Sequence, residues 1–298
     1  MPLEDYVLGV VAAEMPASFA EEALKAQAVA ARTYTVRKLL HGGCGRCPGG
    51  LCTDSAHCQA YAGEEQLRAR WGEAYAANHA KVEAAVRETA GQVLTYDGTV
   101  IEALVHSSRE GSTEDCAHVF AQDLPYLKAV SSPEAEQKSE VRLAAADFVA
   151  RADAAFGDCG LKADALAGQV RVSARYESGR VQTLRLGKRE VSGTAARRAF
   201  SLRSANFSVV VQGGEVIFAV RGYGHGVGMS QRGADALAAA AFWAKTGRGS
   251  SWASSVRPMS RCRARRCGRR VCRVHGAMPC TAPLCCVWKR RRCSRRGA

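Results

Sequence analysis

Leu3-Glu4-Asp5-Tyr6-Val7-Leu8-Gly9-Val10-Val11-Ala12-Ala13-Glu14-Met15-Pro16 is the stretch whose reading decides the fold. Val10 to Ala13 read as buried, so a short strand or helix here carries Glu14 to the edge of a core. Pro16 stops the element that precedes it. A carboxylate at a core edge is costly to bury unless it is paired or protonated. Two readings of Glu14 stand on position alone. One is a helix-start carboxylate or a buried ion pair with a structural role. The other is a carboxyl that keeps its proton near neutral pH and acts as a general acid.

Working outward, Ser18 and Glu21 have the spacing of a capping box, with Ser18 as N-cap. They predict a helix from Phe19 to about Leu40, rich in good helix formers and closed by Gly42 and Gly43. A Gly- and Cys-rich loop follows from His41 to Tyr61. Helical sequence resumes from about Glu64 to Thr89, with a break expected near Ala76 to Asn78. Gln92 to Tyr96 and Thr99 to Val105 alternate about Asp97-Gly98, a tight hairpin signal. Its second strand delivers His106, Ser107 and Ser108. Asn206 to Val211 and Glu215 to Val220 predict another hairpin, which runs into Arg221-Gly222-Tyr223-Gly224-His225-Gly226-Val227-Gly228-Met229-Ser230-Gln231. A last helix is expected from near Gly233.

Composition narrows the class. No apolar run approaches the roughly 18–20 residues a membrane span needs. The net charge is +14, yet Lys245 to Ala298 holds 16 Lys and Arg and no acid. The remaining 244 residues carry 26 basic against 28 acidic groups, a net of −2. Any case for nucleic acid therefore rests on the tail alone, and nucleic acid is not expected as a partner. Seven of the 13 cysteines also lie in the tail.

Three motifs carry chemistry. Four glycines between Gly222 and Gly228 let the backbone approach other groups closely and present His225 on a loop. The bland alternative is a tight turn with a hydrogen-bonded imidazole. The run lacks the lysine of a phosphate-binding loop. His106-Ser107-Ser108 follows a strand, and its hydroxyls suit sugar hydroxyls or the shaping of a loop. No Gly-x-Ser-x-Gly elbow supports a serine hydrolase. Cys44, Cys47, Cys52 and Cys58 lie within fifteen residues. Zinc would accept such ligands, and so would one or two disulfides in an exported protein.

Taken in order, LEDYVLGVVAAEMPASFAEEALKAQAVAARTYTVRKL, CTDSAHCQAYAG, GQVLTYDGTVIEALVHSS with GSTED, PYLKAV and GYGHGVGMSQRGADALA resemble the SpoIID/LytB family of cell-wall proteins. The resemblance covers most of residues 3–130 and 206–238. It implies a mixed α+β fold of two lobes with a substrate groove, in which Glu14 at a helix start faces the loop around His225. It implies a lytic transglycosylase acting on peptidoglycan, whose substrate in the sporulation members is glycan strands already stripped of stem peptides. Glu14 stands at the position of the family's catalytic glutamate. Ser107, Ser108, Tyr223, His225 and Gln231 would line the groove. A structural zinc would be held by Cys52 and Cys58. Arg46 stands where a histidine ligand is looked for, and His41, Cys44, Cys47 or His57 are the substitutes. The resemblance also admits another reading, an amidase enhancer that binds wall without cleaving it. Other cell-wall hydrolases are expected partners, and the expected place is outside the cytoplasm, at the wall or membrane.

The chain departs from the family at Arg109 and Glu110, which change the charge of the hydroxyl-rich segment, and after Ala238-Ala239-Ala240-Ala241. Beyond that point no periodicity remains, and a translated wrong frame is expected from about Ala240. A patterned segment directly after Met1 leads us to expect sequence upstream. The expected organisation is a core at 1–130, an inserted α+β subdomain at 131–205, a return to the core at 206–244 and a basic tail at 245–298.

Overall fold

A computed structural model describes residues 1–246 other than 110 and 136, with side chains to residue 241. The basic tail, and the wrong frame expected in it, lie outside the described residues. The fold is mixed α+β. The chain begins with helix α1 (Leu3–Glu14) and α2 (Glu21–Leu40), followed by a hairpin of two short strands, β1 (Gly43–Cys44) and β2 (Cys47–Pro48). Then come α3 (Glu64–Trp71), a single 3₁₀ turn and α4 (Tyr75–Glu88).

The opening segment is a helix because Val7, Val10 and Val11 recur at helical spacing and form one buried stripe. Glu4 and Asp5 complement the positive end of its dipole. Met15 turns extended and Pro16 follows, so the helix ends at Glu14. Glu14 is thus the last residue of a helix and not its first. Gly9 lets the Tyr61 ring lie against α1: a β-carbon there would stand 2.8 Å from Tyr61 Cδ2. Tyr6 stacks on that same ring at 5.6 Å.

Helix α2 starts later than the capping-box spacing predicts, and Ser18 does not cap it. Its first residue is Glu21, and the Ala20 N–H is instead accepted by Asp235 Oδ1 at 2.7 Å. That acceptor lies 215 positions further along the sequence. The helical break falls at Gly72, not near Ala76 to Asn78, because Gly72 takes φ +51°, a left-handed conformation that glycine adopts without penalty.

Valines and leucines of α1, α2, α3 and α4 form the first core, including Val7, Val11, Leu24, Leu67 and Val82. Arg32 crosses this core with a side chain only 1% exposed. Its guanidinium pairs with Glu4 at 2.7 Å and donates to the Val86 and Gln92 carbonyls at 3.2 Å. Every end of the buried charge is therefore satisfied.

After α4 the Asp97-Gly98 turn joins β3 (Thr95–Tyr96) to β4 (Thr99–Val100), with positive φ at both turn residues. β5 (Val105–His106) leads into the serines, and α5 (Cys116–Phe120) follows. Then comes β6 (Lys138–Ala144), α6 (Ala145–Phe156), β7 (Val170–Arg175), β8 (Val181–Leu186), β9 (Arg189–Ser192) and α7 (Gly193–Ala199). β10 (Phe207–Gln212) and β11 (Glu215–Arg221) form the second expected hairpin.

That hairpin does not return to the first core. β11 pairs along its whole length with β6, from Glu215↔Ala144 to Arg221↔Lys138. Its inward side chains Val216, Phe218 and Val220 join Phe148, Leu184 and Phe200 in a second core. Phe148 stacks on Phe200 at 4.7 Å, and Phe200 on Phe218 at 5.3 Å. β10 and β11 thus belong with the second core, because alternation in β11 buries its apolar face against β6 and α6.

Beyond the glycine run, β12 (Met229–Ser230) pairs in parallel with β5, and α8 (Gln231–Thr246) packs on α2. Among the described residues, no helix is long and apolar enough to cross a membrane.

Candidate active site and thiol centre

Glu14 is half-buried at the C-terminal end of α1. Each carboxylate oxygen accepts one hydrogen bond. The Ala60 N–H donates to Oε1 at 2.9 Å, and Gln231 Nε2 donates to Oε2 at 3.0 Å. One donor is fixed backbone. The other is a side-chain amide that can turn, presenting its oxygen to a protonated carboxyl as readily as its nitrogen to an ionised one. Among the described residues Glu14 forms no ion pair, so the structural reading as a buried salt bridge does not hold.

Gln231 reaches Glu14 because β12 is pinned beside β5 in the register Met229↔Val105 and Ser230↔His106. Ser230 Oγ donates to Glu134 at 2.7 Å and accepts the Gly233 N–H at 3.2 Å. Glu134 is a half-buried acid whose pKa burial raises, with Ser230 and the Arg109 N–H as opposing donors. It fixes the residue next to Gln231.

The other groove candidates have different placements. His225 is locked by backbone at both nitrogens: Nε2–H donates to the Val105 carbonyl at 2.8 Å, and Nδ1 accepts the Val227 N–H at 3.2 Å. Burial pushes its pKa down to about 4. His106 lies beside it, ring to ring at 5.7 Å, with Nδ1 facing the Val227 carbonyl at 3.1 Å. Burial first, then the neighbouring His225, pushes His106 down to about 3. Both rings are neutral at physiological pH, and His225 shapes its turn. Ser108 is buried; its backbone pairs with Tyr223, and its Oγ lies 2.5 Å from the Gln137 amide. Ser107 is half-buried, and its carbonyl accepts the Arg232 N–H at 3.1 Å. Tyr223 is 48% exposed, with the Arg203 guanidinium 5.6 Å from its ring centre. The fold thus joins Gln231 to Glu14 directly, and no hydrogen bond among the described residues joins the other four to it.

The thiol loop resolves differently from its spacing. Cys44, Cys52, His57 and Cys58 bring one ligand atom each to within 4.8 Å of one another. His57 Nδ1 lies 3.2 Å from Cys52 Sγ and 3.5 Å from Cys58 Sγ. Cys47 and His41 stay outside the group, and Arg46 pairs with Asp54 at 2.6 Å. None of the six described cysteines forms a disulfide. Small side-chain rotations would close this set to the thiolate spacing of a tetrahedral zinc, about 3.8 Å. Three thiols and one imidazole are a donor set that zinc accepts, although the thiols differ in how readily they ionise. Burial opposes ionisation of Cys44, yet backbone hydrogen bonds from Arg46 and Cys52 pull its thiol down to about 6. Burial, then the Cys52 thiol, pushes Cys58 up to about 11. The residues present fit a Cys₃His metal centre, and Ala60, the backbone donor to Glu14, follows Cys58 by two residues.

Sequence reasoning misses Ala60, since a backbone donor leaves no side-chain signal, and Glu134, which stands in no motif. It also misses the choice of Cys44 and His57, which spacing places only among the substitutes.

This site lies on a chain whose first part matches the family described as stage II sporulation protein, over residues 1–96. The chain belongs to the stage II sporulation protein D family. It is 39% identical over 239 residues to stage II sporulation protein D of Bacillus amyloliquefaciens, covering 80% of this chain and 69% of that protein. It is 36% identical over 243 residues to stage II sporulation protein D of Bacillus subtilis (strain 168), with the same coverage, 80% and 69%. A shorter likeness, 38% over 121 residues, links it to the amidase enhancer of Bacillus subtilis (strain 168), covering 41% of this chain and 14% of that protein.

Proposed function

We propose that this protein is a peptidoglycan lytic transglycosylase in which Glu14 is both acid and base. The observation that carries the reading is a carboxyl with one fixed and one rotatable hydrogen-bond partner, brought together from residues 14, 60 and 231. Most glycosidases need two carboxylates, one to protonate the leaving oxygen and one for water or covalent attack. Here the C6 hydroxyl of the muramic acid attacks C1 of its own sugar, so no second acid is needed. Glu14 gives its proton to the glycosidic oxygen as the bond to C1 breaks. It then takes the proton of the C6 hydroxyl as the new C1–O bond forms, and a 1,6-anhydro sugar results. The Gln231 amide turns with the change in protonation and keeps a bond to the carboxyl throughout. Exposed Tyr223 and half-buried Ser107 supply polar contacts for the strand.

The thiol centre is structural in this reading. Cys44, Cys52, His57 and Cys58 would hold zinc, which would supply a rigid crosslink of the loop leading to Ala60. Sporulation-linked wall remodelling, outside the cytoplasm and beside other wall hydrolases, is the setting that family membership favours.

The likeness to an amidase enhancer supports a second reading, wall binding without cleavage. The test is mass spectrometry of products from peptide-free glycan strands incubated with wild type and with Glu14→Gln. Anhydro-muramic ends from wild type alone are the expected result. Absence of product from folded wild type, with strand binding retained, would sink the enzyme reading in favour of the enhancer.

A further inference from the structure

The second core reaches the glycine-rich loop through one buried cation. Arg180 closes the turn between β7 and β8 and is only 3% exposed. Its Nη2 donates to the Gly224 carbonyl at 3.1 Å. The guanidinium lies flat over Gly226: a β-carbon there would stand 2.6 Å from Cζ and 2.7 Å from Nε. Gly226 has φ +83°, so handedness and the guanidinium both require glycine at this position.

Glu114 also grips the loop. Its N–H donates to the Gly226 carbonyl at 2.7 Å. Its buried carboxylate accepts from Ser178 Oγ and from the Asp115 N–H, and lies 4.0 Å from Arg180 Nε. The segment Gly224–Gly226 is thereby held at two of its carbonyls, those of Gly224 and Gly226, by two distant parts of the chain.

A buried arginine is an expensive way to fill this space. Burial, then the like charge of Arg109, pushes the Arg180 pKa down to about 9. Removing the cation alone would leave the buried Glu114 carboxylate with one fewer positive neighbour, a cost an apolar side chain does not offset. What a guanidinium adds is direction, a planar fork that fixes both a carbonyl and a backbone face. Five residues beyond Gly226 lies Gln231.

We infer that Arg180 is a positioning residue: it fixes the Gly224–Gly226 loop so that Gln231 meets Glu14, and so ties the turn between β7 and β8 to the acid site. The inference rests on Glu14 and Gln231 as the acid site.

The test compares full-length wild type, Arg180→Met, Arg180→Lys and Phe148→Leu. Turnover of peptide-free strands is measured together with amide hydrogen exchange over residues 224–231. Arg180→Met is expected to lower kcat about 100-fold, the cost of a small misplacement of a reacting group, with KM within about twofold. Its exchange over 224–231 rises. Arg180→Lys, which keeps a donor for Gly224, recovers about a tenth of wild-type kcat. Phe148→Leu weakens the second core without touching the loop and keeps kcat. Wild-type kcat in folded Arg180→Met, or an equal loss in Phe148→Leu, would overturn the inference. Should Arg180→Met fail to fold, Arg180→Lys decides: wild-type kcat with unchanged exchange refutes the inference. If wild type makes no anhydro ends, the enzyme reading fails and exchange alone judges the clamp, which an unchanged loop in the variants refutes.

Discussion

Acidification from about pH 7.5 to about pH 5 is expected to weaken the fold through His106 and His225. Unfolded, each imidazole titrates at 6.5; folded, burial holds them at about 3 and about 4. Between the folded and unfolded values the unfolded chain binds protons that the native chain refuses, so stability falls as pH falls. At pH 5 each histidine costs about 2 kcal/mol relative to pH 7.5, and the pair about 4 kcal/mol. Geometry supplies the cause for His225, because Nδ1 already accepts the Val227 N–H and a proton there would break that bond. Glu134 works in the opposite sense: its raised pKa lets the native state take a proton first, which adds stability on acidification. A variant therefore isolates the histidine contribution. His225→Gln can keep a donor for the Val105 carbonyl and cannot titrate. Urea unfolding followed by circular dichroism should show the stability gap between wild type and His225→Gln shift by about 2 kcal/mol in favour of the variant between pH 7.5 and pH 5. A gap that stays constant within about 0.5 kcal/mol would refute the reasoning.

Three further outcomes follow from particular contacts. Gln231→Leu leaves Glu14 Oε2 without its donor, and loss of a hydrogen bond to a charged group is expected to reduce kcat about 10- to 100-fold in the anhydro-sugar assay. Asp235→Ala strips the Ala20 N–H of its acceptor and should cost about 1 kcal/mol of stability, read by thermal unfolding, with product chemistry unchanged. Elemental analysis should find zinc with wild type and none with Cys52→Ser/Cys58→Ser, and chelation should lower both Tm and turnover, because the loop to Ala60 loses its crosslink.

The parts of the fold set by local chemistry are legible in the sequence. Asp97-Gly98 states its turn through the positive φ both residues adopt, and Glu14 is marked by the apolar run before it and the proline after it. Features decided at long range are not. Ser18 looks like a cap, but the acceptor at the start of α2 is Asp235, whose position relative to Ala20 exists only after folding. The alternation of β11 announces a buried face without saying which sheet will cover it. Four thiols and two histidines near residue 50 admit zinc or disulfides, while the loop path alone brings Cys44 and His57, and not Cys47 and His41, beside Cys52 and Cys58. His225 reads equally as a working imidazole or a turn brace, and its two backbone bonds decide for the brace.

The bond between Glu14 and Gln231 spans 217 residues of sequence. A ribosome adds residues in order, so Glu14 emerges early and waits for its partner through nearly all of the described chain. A nascent or prematurely ended polypeptide that folds its first helices therefore presents the carboxyl without its amide. The Glu14–Gln231 pair forms only once residue 231 has been made, late in the described chain.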